Sequence, residues 1–209
     1  VAENVVKTYG KVDVIMANNV FAHISDIQGT TRAICTSLAE DGVFVFEVHY
    51  LGKVIDNLQY DMIYHEHLYY YSLLSAQQHF KRFDMCVFDV QQVPIHGGSI
   101  RVFVCKNSSV HAQNISERVR NLETEERAKG YNRLDSFLNF AKQVESTKRE
   151  LRARLDQISR DGKTVIGYGA SGRANTMIQY CEITTDMVPY IIDDAPAKTG
   201  FYTPGSHIE

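Results

Sequence analysis

Residues 60–72, Tyr60-Asp-Met-Ile-Tyr-His-Glu-His-Leu-Tyr-Tyr-Tyr-Ser72, gather five tyrosines, two histidines and two carboxylates into thirteen positions. A packed core has no use for that mixture. Each Tyr offers a hydroxyl donor, each His a proton acceptor near neutral pH, and Glu66 lies between His65 and His67. Such a set suits the removal of a proton from carbon and the stabilisation of the oxyanion that results. Further on, Pro94-Ile-His-Gly-Gly-Ser-Ile-Arg-Val-Phe-Val104 places His96, Gly97 and Gly98 before a strand, where glycine lets backbone come close to another group.

These residues need elements to hold them. Val12-Asp-Val-Ile-Met-Ala17 is a short apolar run of the kind found in buried parallel strands. Residues 1–8 before it read as the end of a helix. Asn18-Asn-Val-Phe-Ala-His23 follows the carboxyl end of the strand. Residues 26–39 have helical spacing, and Asp41-Gly42 turns the chain into a second buried strand over 43–48. Strand, helix and strand make a right-handed βαβ unit. Apolar residues on both faces of both strands predict helices on both sides of the sheet. Residues 50–80 read as loop and helix. Val87–Val93 and Ser99–Val104 read as paired strands. Residues 114–160 are highly charged with apolar residues at helical intervals, which predicts two helices broken near Gly130, their charges forming a solvated face.

Gly162-Lys-Thr-Val-Ile-Gly-Tyr-Gly-Ala-Ser-Gly-Arg-Ala-Asn175 opens a new unit. A strand over 164–167 runs into Gly167-x-Gly169-x-x-Gly172 and a helix from Arg173 to Tyr180. A second strand over 188–194 ends at Asp193 and Asp194. Strand, Gly-rich loop, helix, strand and acid form the pattern of a mononucleotide-binding half. The Gly-rich loop alone supports an NAD-dependent oxidoreductase, with Asp193 or Asp194 on a ribose. It equally supports phosphate binding at a helix N-terminus, or a tight turn with no ligand.

The whole chain bounds these readings. Its 209 residues fit one large domain or two small ones, with 44% apolar residues and a net charge of −3. No basic run points to nucleic acid. No stretch has the length of a membrane span or the pattern of a signal peptide. Cysteines 35, 86, 105 and 181 lack CxxC spacing and read as reduced thiols of a cytoplasmic protein.

Taken together, Asn18–His23, Tyr64-His-Glu-His67 with Tyr70-Tyr-Ser-Leu73, His96-Gly-Gly-Ser-Ile-Arg101, Gly167–Asn175 and Gly200-Phe-Tyr-Thr-Pro-Gly-Ser-His207 resemble the S-adenosylmethionine-dependent sugar C-methyltransferases. These act on nucleotide-linked 4-keto-deoxyhexoses. The resemblance covers nearly the whole chain. It implies an α/β fold: the second half of a class I (Rossmann-like) methyltransferase sheet over 1–107, a helical connector over 108–160, and the start of a second Rossmann-like unit over 161–209. The family's N-terminal cysteine-rich zinc module and Gly-rich S-adenosylmethionine loop are not in this sequence, which reads as an internal piece of a longer protein.

The implied reaction abstracts the proton at C3, α to the C4 ketone, and methylates that carbon. The resemblance points to His67 as base and Tyr64 as donor to the keto oxygen. Glu66 would orient a sugar hydroxyl or hold the His tautomer, and His23 would assist the base or the oxyanion. Asn18 and Asn19 would face the S-adenosylmethionine cofactor. Gly167, Gly169, Gly172, Arg173, Asn175, His96 and Gly97 would bind the nucleotide-diphosphate sugar. Tyr69, Tyr70, Tyr71 and His65 read more simply as packing or surface residues. A mononuclear metal site built on His65 and His67 competes, but H-x-H pairs are common by chance and no further ligand sits at helical spacing. A non-catalytic nucleotide-sugar binding module is the alternative outside enzymes.

Overall fold

Strand β1 (Val12–Asn18) and strand β2 (Leu38–His49) run parallel, with Ile15 opposite Phe44 and Ala17 opposite Phe46. The computed structural model describes residues 2–209. Helix α1 (Ala2–Tyr9) precedes β1, and the Val1 end of the expected helix lies outside the described residues. Helix α2 (Ile27–Ser37) joins the two strands. It starts where Asp26 accepts the Gly29 amide at 2.8 Å, satisfying one of the free amides of a helix N-terminus. It buries Ile27, Thr31 and Ile34, then stops at Ser37 because Leu38 already pairs with Val12. Helix α3 (Leu51–Asp56) and helix α4 (Leu73–Lys81) follow β2.

Strands β3 (Met85–Val93) and β4 (Ser99–Lys106) form the expected antiparallel pair, and β4 inserts between β2 and β3 to give the order β1-β2-β4-β3. β4 is antiparallel to both neighbours, so β1, β2 and β3 share one direction. Their carboxyl ends therefore lie along one edge of the sheet. This is an α/β fold with a mixed sheet.

One face of that sheet carries the core. Phe44, Phe46, Val102 and Val104 are fully buried there. They meet Ile27 and Ile34 of α2, Ala76 and Phe80 of α4, and Val119 and Leu122 of helix α5 (Glu117–Lys129). The expectation of two covered faces fails at β1. Val14 is 57% and Met16 69% exposed. β1 is an edge strand, and the helices that build the core all gather on the Phe44–Phe46 face. The other face of the edge strand is left open.

The chain divides into two compact units, Val1–Asp56 with Glu66–Ser136, and Asn57–His65 with Phe137–Glu209. In the first, α5 ends at Gly130, where the Tyr131 amide reaches back to the Glu126 carbonyl at 3.0 Å. The break between two helices is thus where the glycine predicts it. Helix α6 (Leu134–Arg160) follows.

In the second unit, Leu155, Ile178, Cys181, Ile183, Val188 and Ile208 form a small core. Strands β5 (Gly167–Tyr168) and β6 (Ile191–Ile192) pair in parallel, flanking helix α7 (Gly172–Tyr180). Both strands are shorter than the sequence predicts. Gly169, at φ +90, turns the chain away directly after Tyr168, and Pro189 brings no amide to the ladder. α7 starts at Gly172, one residue before the expected Arg173, because Ser171 caps it by accepting the Ala174 amide. Among the described residues no helix is long and apolar enough to cross a membrane.

Candidate active site

The first unit assembles its polar groups along the carboxyl edge of β1, β2 and β3, where open α/β sheets place ligands. Asn18 ends β1 and Asn19 directly follows it, both exposed, and the Asn19 amide donates to the Glu47 carbonyl of β2 at 2.8 Å. The chain then makes a single helical turn, Phe21–His23. Its anchor is Phe21, fully buried against Phe44, Phe46, Tyr71 and Phe80. With Phe21 fixed inside, His23 is left at the surface.

The Glu66–Tyr71 segment is laid against this turn by backbone bonds. The Leu68 and Tyr69 amides both donate to the Ala22 carbonyl, at 3.0 and 3.2 Å, and the Leu51 amide donates to the Tyr71 carbonyl at 2.9 Å. His23 Nδ1 lies 2.6 Å from the Glu66 carbonyl oxygen. A carbonyl only accepts, so Nδ1 carries the proton and Nε2 is the open nitrogen of neutral His23. The His23 and His67 rings are 5.0 Å apart, and Tyr70 stands edge-on to His67 at 6.1 Å. His23 is thereby brought to the Glu66–His67 pair, although His23 and Glu66 are forty-three positions apart in sequence. His96 and Gly97 lie in the exposed β3–β4 turn on the same edge, and the Gly98 carbonyl of that turn accepts the Tyr50 amide at 3.1 Å. Tyr71 is a core residue, 5% exposed and stacked on Phe21. Tyr69 donates to the Ser25 carbonyl at 3.3 Å.

The second unit holds Tyr64 and a cavity of about 800 Å³. Tyr64, His65, Gly172 and Asn175 line it, together with Tyr190, Phe201 and Tyr202. Gly167 packs so tightly on Ile191 that a Cβ would come within 2.7 Å of its side chain, which explains the first glycine of the loop. The Asn175 Oδ1 is buried without a partner. Arg173 pairs with Asp61, its Nε and a terminal nitrogen lying 2.7 and 2.6 Å from one carboxylate oxygen.

The two acids after β6 are also engaged. Asp193 accepts the Ala170 amide of the Gly-rich loop at 2.7 Å, the Ala195 amide at 2.9 Å and the Lys198 ammonium at 2.7 Å. Asp194 accepts the Tyr168 hydroxyl at 2.6 Å. A ribose claiming Asp193 would compete with these three donors. The Lys198 ammonium, then the Ala195 and Ala170 amides, pull the Asp193 pKa down from 3.8 to about 2. The folded value is depressed, so the clamp's contribution to stability is fully present above the unfolded value near 3.8 and is lost as pH falls through about 2. Carboxyl carbon NMR should find the Asp193 midpoint near 2 in the native protein, and Lys198→Ala should move it upward. A midpoint unchanged by Lys198→Ala would remove the clamp.

Lys198, Tyr190, Phe201 and Tyr202 were not singled out as site residues by sequence reasoning. The exposed aromatics after Gly200 were the available signal. Among the described residues no group of three His, Cys, Asp or Glu side chains converges as a metal site.

Residues 94–209 match the family model of a C-methyltransferase C-terminal domain, and residues 2–90 match that of a methyltransferase domain. The chain belongs to this C-methyltransferase family. C-methyltransferase NovU of Streptomyces niveus is 32% identical over 208 residues, covering 100% of this chain and 49% of that protein. The chain thus spans about half the length of the curated relative it matches. A crystal structure of a proposed O-methyltransferase from Nostoc punctiforme PCC 73102 aligns with a TM-score of 0.31 and 13% identity, over 44% of this chain and 32% of that one.

Proposed function

We propose that this chain is the substrate-activating part of an enzyme that methylates C3 of a nucleotide-diphosphate-linked 4-keto-deoxyhexose. The observation that carries this reading is the pairing of His23 with the Glu66–His67 segment at the carboxyl edge of parallel strands, in a chain of the C-methyltransferase family. S-adenosylmethionine, when bound, supplies an electrophilic methyl group. Asn18 and Asn19 suit one wall of its site: their exposed carboxamides at the end of β1 offer both donors and acceptors to an amino acid or a ribose diol.

The chain's own residues prepare the acceptor carbon. His67 takes the C3 proton, and the electron pair moves into the C3–C4 bond as charge develops on the keto oxygen. Tyr64 donates to that oxygen. Glu66 orients a sugar hydroxyl while its carbonyl fixes the His23 tautomer, so that His23 presents Nε2 to the same step. The cavity of the second unit takes the nucleotide diphosphate. Its Gly167–Gly172 loop presents amides at the start of α7, Asn175 offers its unpartnered oxygen to a donor, and the aromatic side chains offer faces to a base.

The intact enzyme, given labelled S-adenosylmethionine and a thymidine-diphosphate 4-keto-deoxyhexose, should place the label on C3. No label on carbon overturns the reading. Calorimetry should show the thymidine-diphosphate sugar binding more tightly than NAD, whereas tight binding of NAD alone would favour an oxidoreductase.

A further inference from the structure

Glu126 is the one acid of α5 with no exposure to solvent. It departs from the solvated face predicted for this charged region, and it sits where an apolar residue would fit, one and two turns beyond Leu122 and Val119. A buried carboxylate is costly unless every lone pair finds a donor. Here one oxygen accepts the Tyr50 hydroxyl at 2.9 Å and the Leu73 amide at 2.7 Å, and the other accepts the Leu74 amide at 2.9 Å. The Ser72 hydroxyl adds a further donor. Burial pushes the Glu126 pKa up, and the Leu74 and Leu73 amides, Tyr50 and Ser72 act against it. All its partners donate, which is the pattern of the anion.

What the carboxylate joins is informative. Leu73 and Leu74 are the first residues of α4, whose free amides and positive dipole end favour an anion. They directly follow the Glu66–Tyr71 segment. Tyr50 directly follows β2, bridges to Tyr71, and donates its amide to the Gly98 carbonyl of the turn carrying His96. One side chain on a distant helix thus fastens the end of β2 to the start of α4, and the segment with His67 is strung between them. Packing alone would not need a charge here. An apolar residue would fill the space without the cost of dehydrating a carboxylate.

We infer that Glu126 is a positioning residue for His67: it fixes the far end of the Glu66–Tyr71 segment through Tyr50 and the first amides of α4. It touches no substrate. The inference rests on the proposed role of His67, and its test separates the two. In the intact enzyme, Glu126→Gln swaps one acceptor for an NH2 donor opposed to amide donors, and Tyr50→Phe removes a single hydroxyl. A reacting group misplaced by about 1 Å loses rate on the order of 10²-fold. Glu126→Gln should therefore lower kcat by roughly 10–100-fold, and Tyr50→Phe by several-fold, with KM for the nucleotide sugar changed little. Backbone amide exchange over residues 66–72 should quicken in both variants and remain slow in the second unit. Glu126→Asp, which keeps the charge, should recover part of both readouts.

Either variant exchanging at the wild-type rate over 66–72 overturns the inference, whatever happens to kcat. So does a fall in KM-limited binding with kcat unchanged. Should Glu126→Gln fail to fold, Tyr50→Phe decides. If the wild-type enzyme proves inactive on every nucleotide-linked keto-sugar offered, the proposed function fails, and amide exchange over 66–72 still decides what Glu126 holds.

Discussion

Replacing His67 by Asn in the intact enzyme is expected to lower turnover by roughly 10²–10⁴-fold, the usual contribution of a general base. Asn keeps a similar reach and can hydrogen-bond, but it cannot take a proton near neutral pH. Binding of the sugar nucleotide should change little, because a C–H bond makes no strong contact in the ground state. Exchange of the C3 hydrogen with deuterated water, followed without methyl donor, isolates the proton step. If His67→Asn exchanges as fast as wild type, His67 is not the base. The proton then belongs to His23, whose Nε2 is left open by the bond from Nδ1 to the Glu66 carbonyl. Tyr64→Phe should cost less than loss of the base, since charge on the keto oxygen can be shared with another donor.

Phe21→Ala should produce the largest loss of stability in the first unit, about 3–5 kcal/mol. Phe21 is fully buried, and its ring lies 4.8 to 5.9 Å from those of Phe44, Phe46, Tyr71 and Phe80. Truncation removes the hub of that cluster and leaves a cavity that neighbours on β2 and α4 can fill only in part. Such a loss is a large fraction of a domain's usual stability of about 5–15 kcal/mol. Urea denaturation, followed by a probe confined to the first unit, measures it. A cost below about 1 kcal/mol would show that the cluster repacks freely. The same residue seats the turn that carries His23, so the variant should also loosen His23 from Glu66.

The polar carboxyl edge of the sheet was legible in the sequence because its signals are local. An apolar run gives β1, the residues after it lie at its carboxyl end, and a Tyr/His-rich stretch stands out by composition alone. That His23 meets Glu66 is not a local matter. It depends on the Ala22 carbonyl accepting two amides from a segment more than forty residues away. The open side of β1 was misread for a related reason. Val14 and Met16 announce burial by their type, but burial needs a partner, and the core helices chose the opposite face. β5 and β6 shrank because a turn at Gly169 and a missing amide at Pro189 count for more than an apolar stretch. Glu126 was hidden among the many acids of its region. Its spacing from Val119 and Leu122 was the clue, since a carboxylate in register with an apolar stripe must be buried with company.

The Asp193 clamp bears on how tightly a ligand can be held in the second unit. A glycine-rich turn left to itself samples many shapes, and a phosphate that selects one of them gives up part of its binding energy to still the rest. Here the Ala170 amide is already tethered by Asp193, and Lys198 ties the same carboxylate to the Ala170 carbonyl. The loop is set before any ligand arrives. Anions should therefore associate with little unfavourable entropy of ordering, and cutting the tether with Asp193→Asn should appear mainly as an entropic penalty in calorimetry, with the enthalpy of contact largely kept.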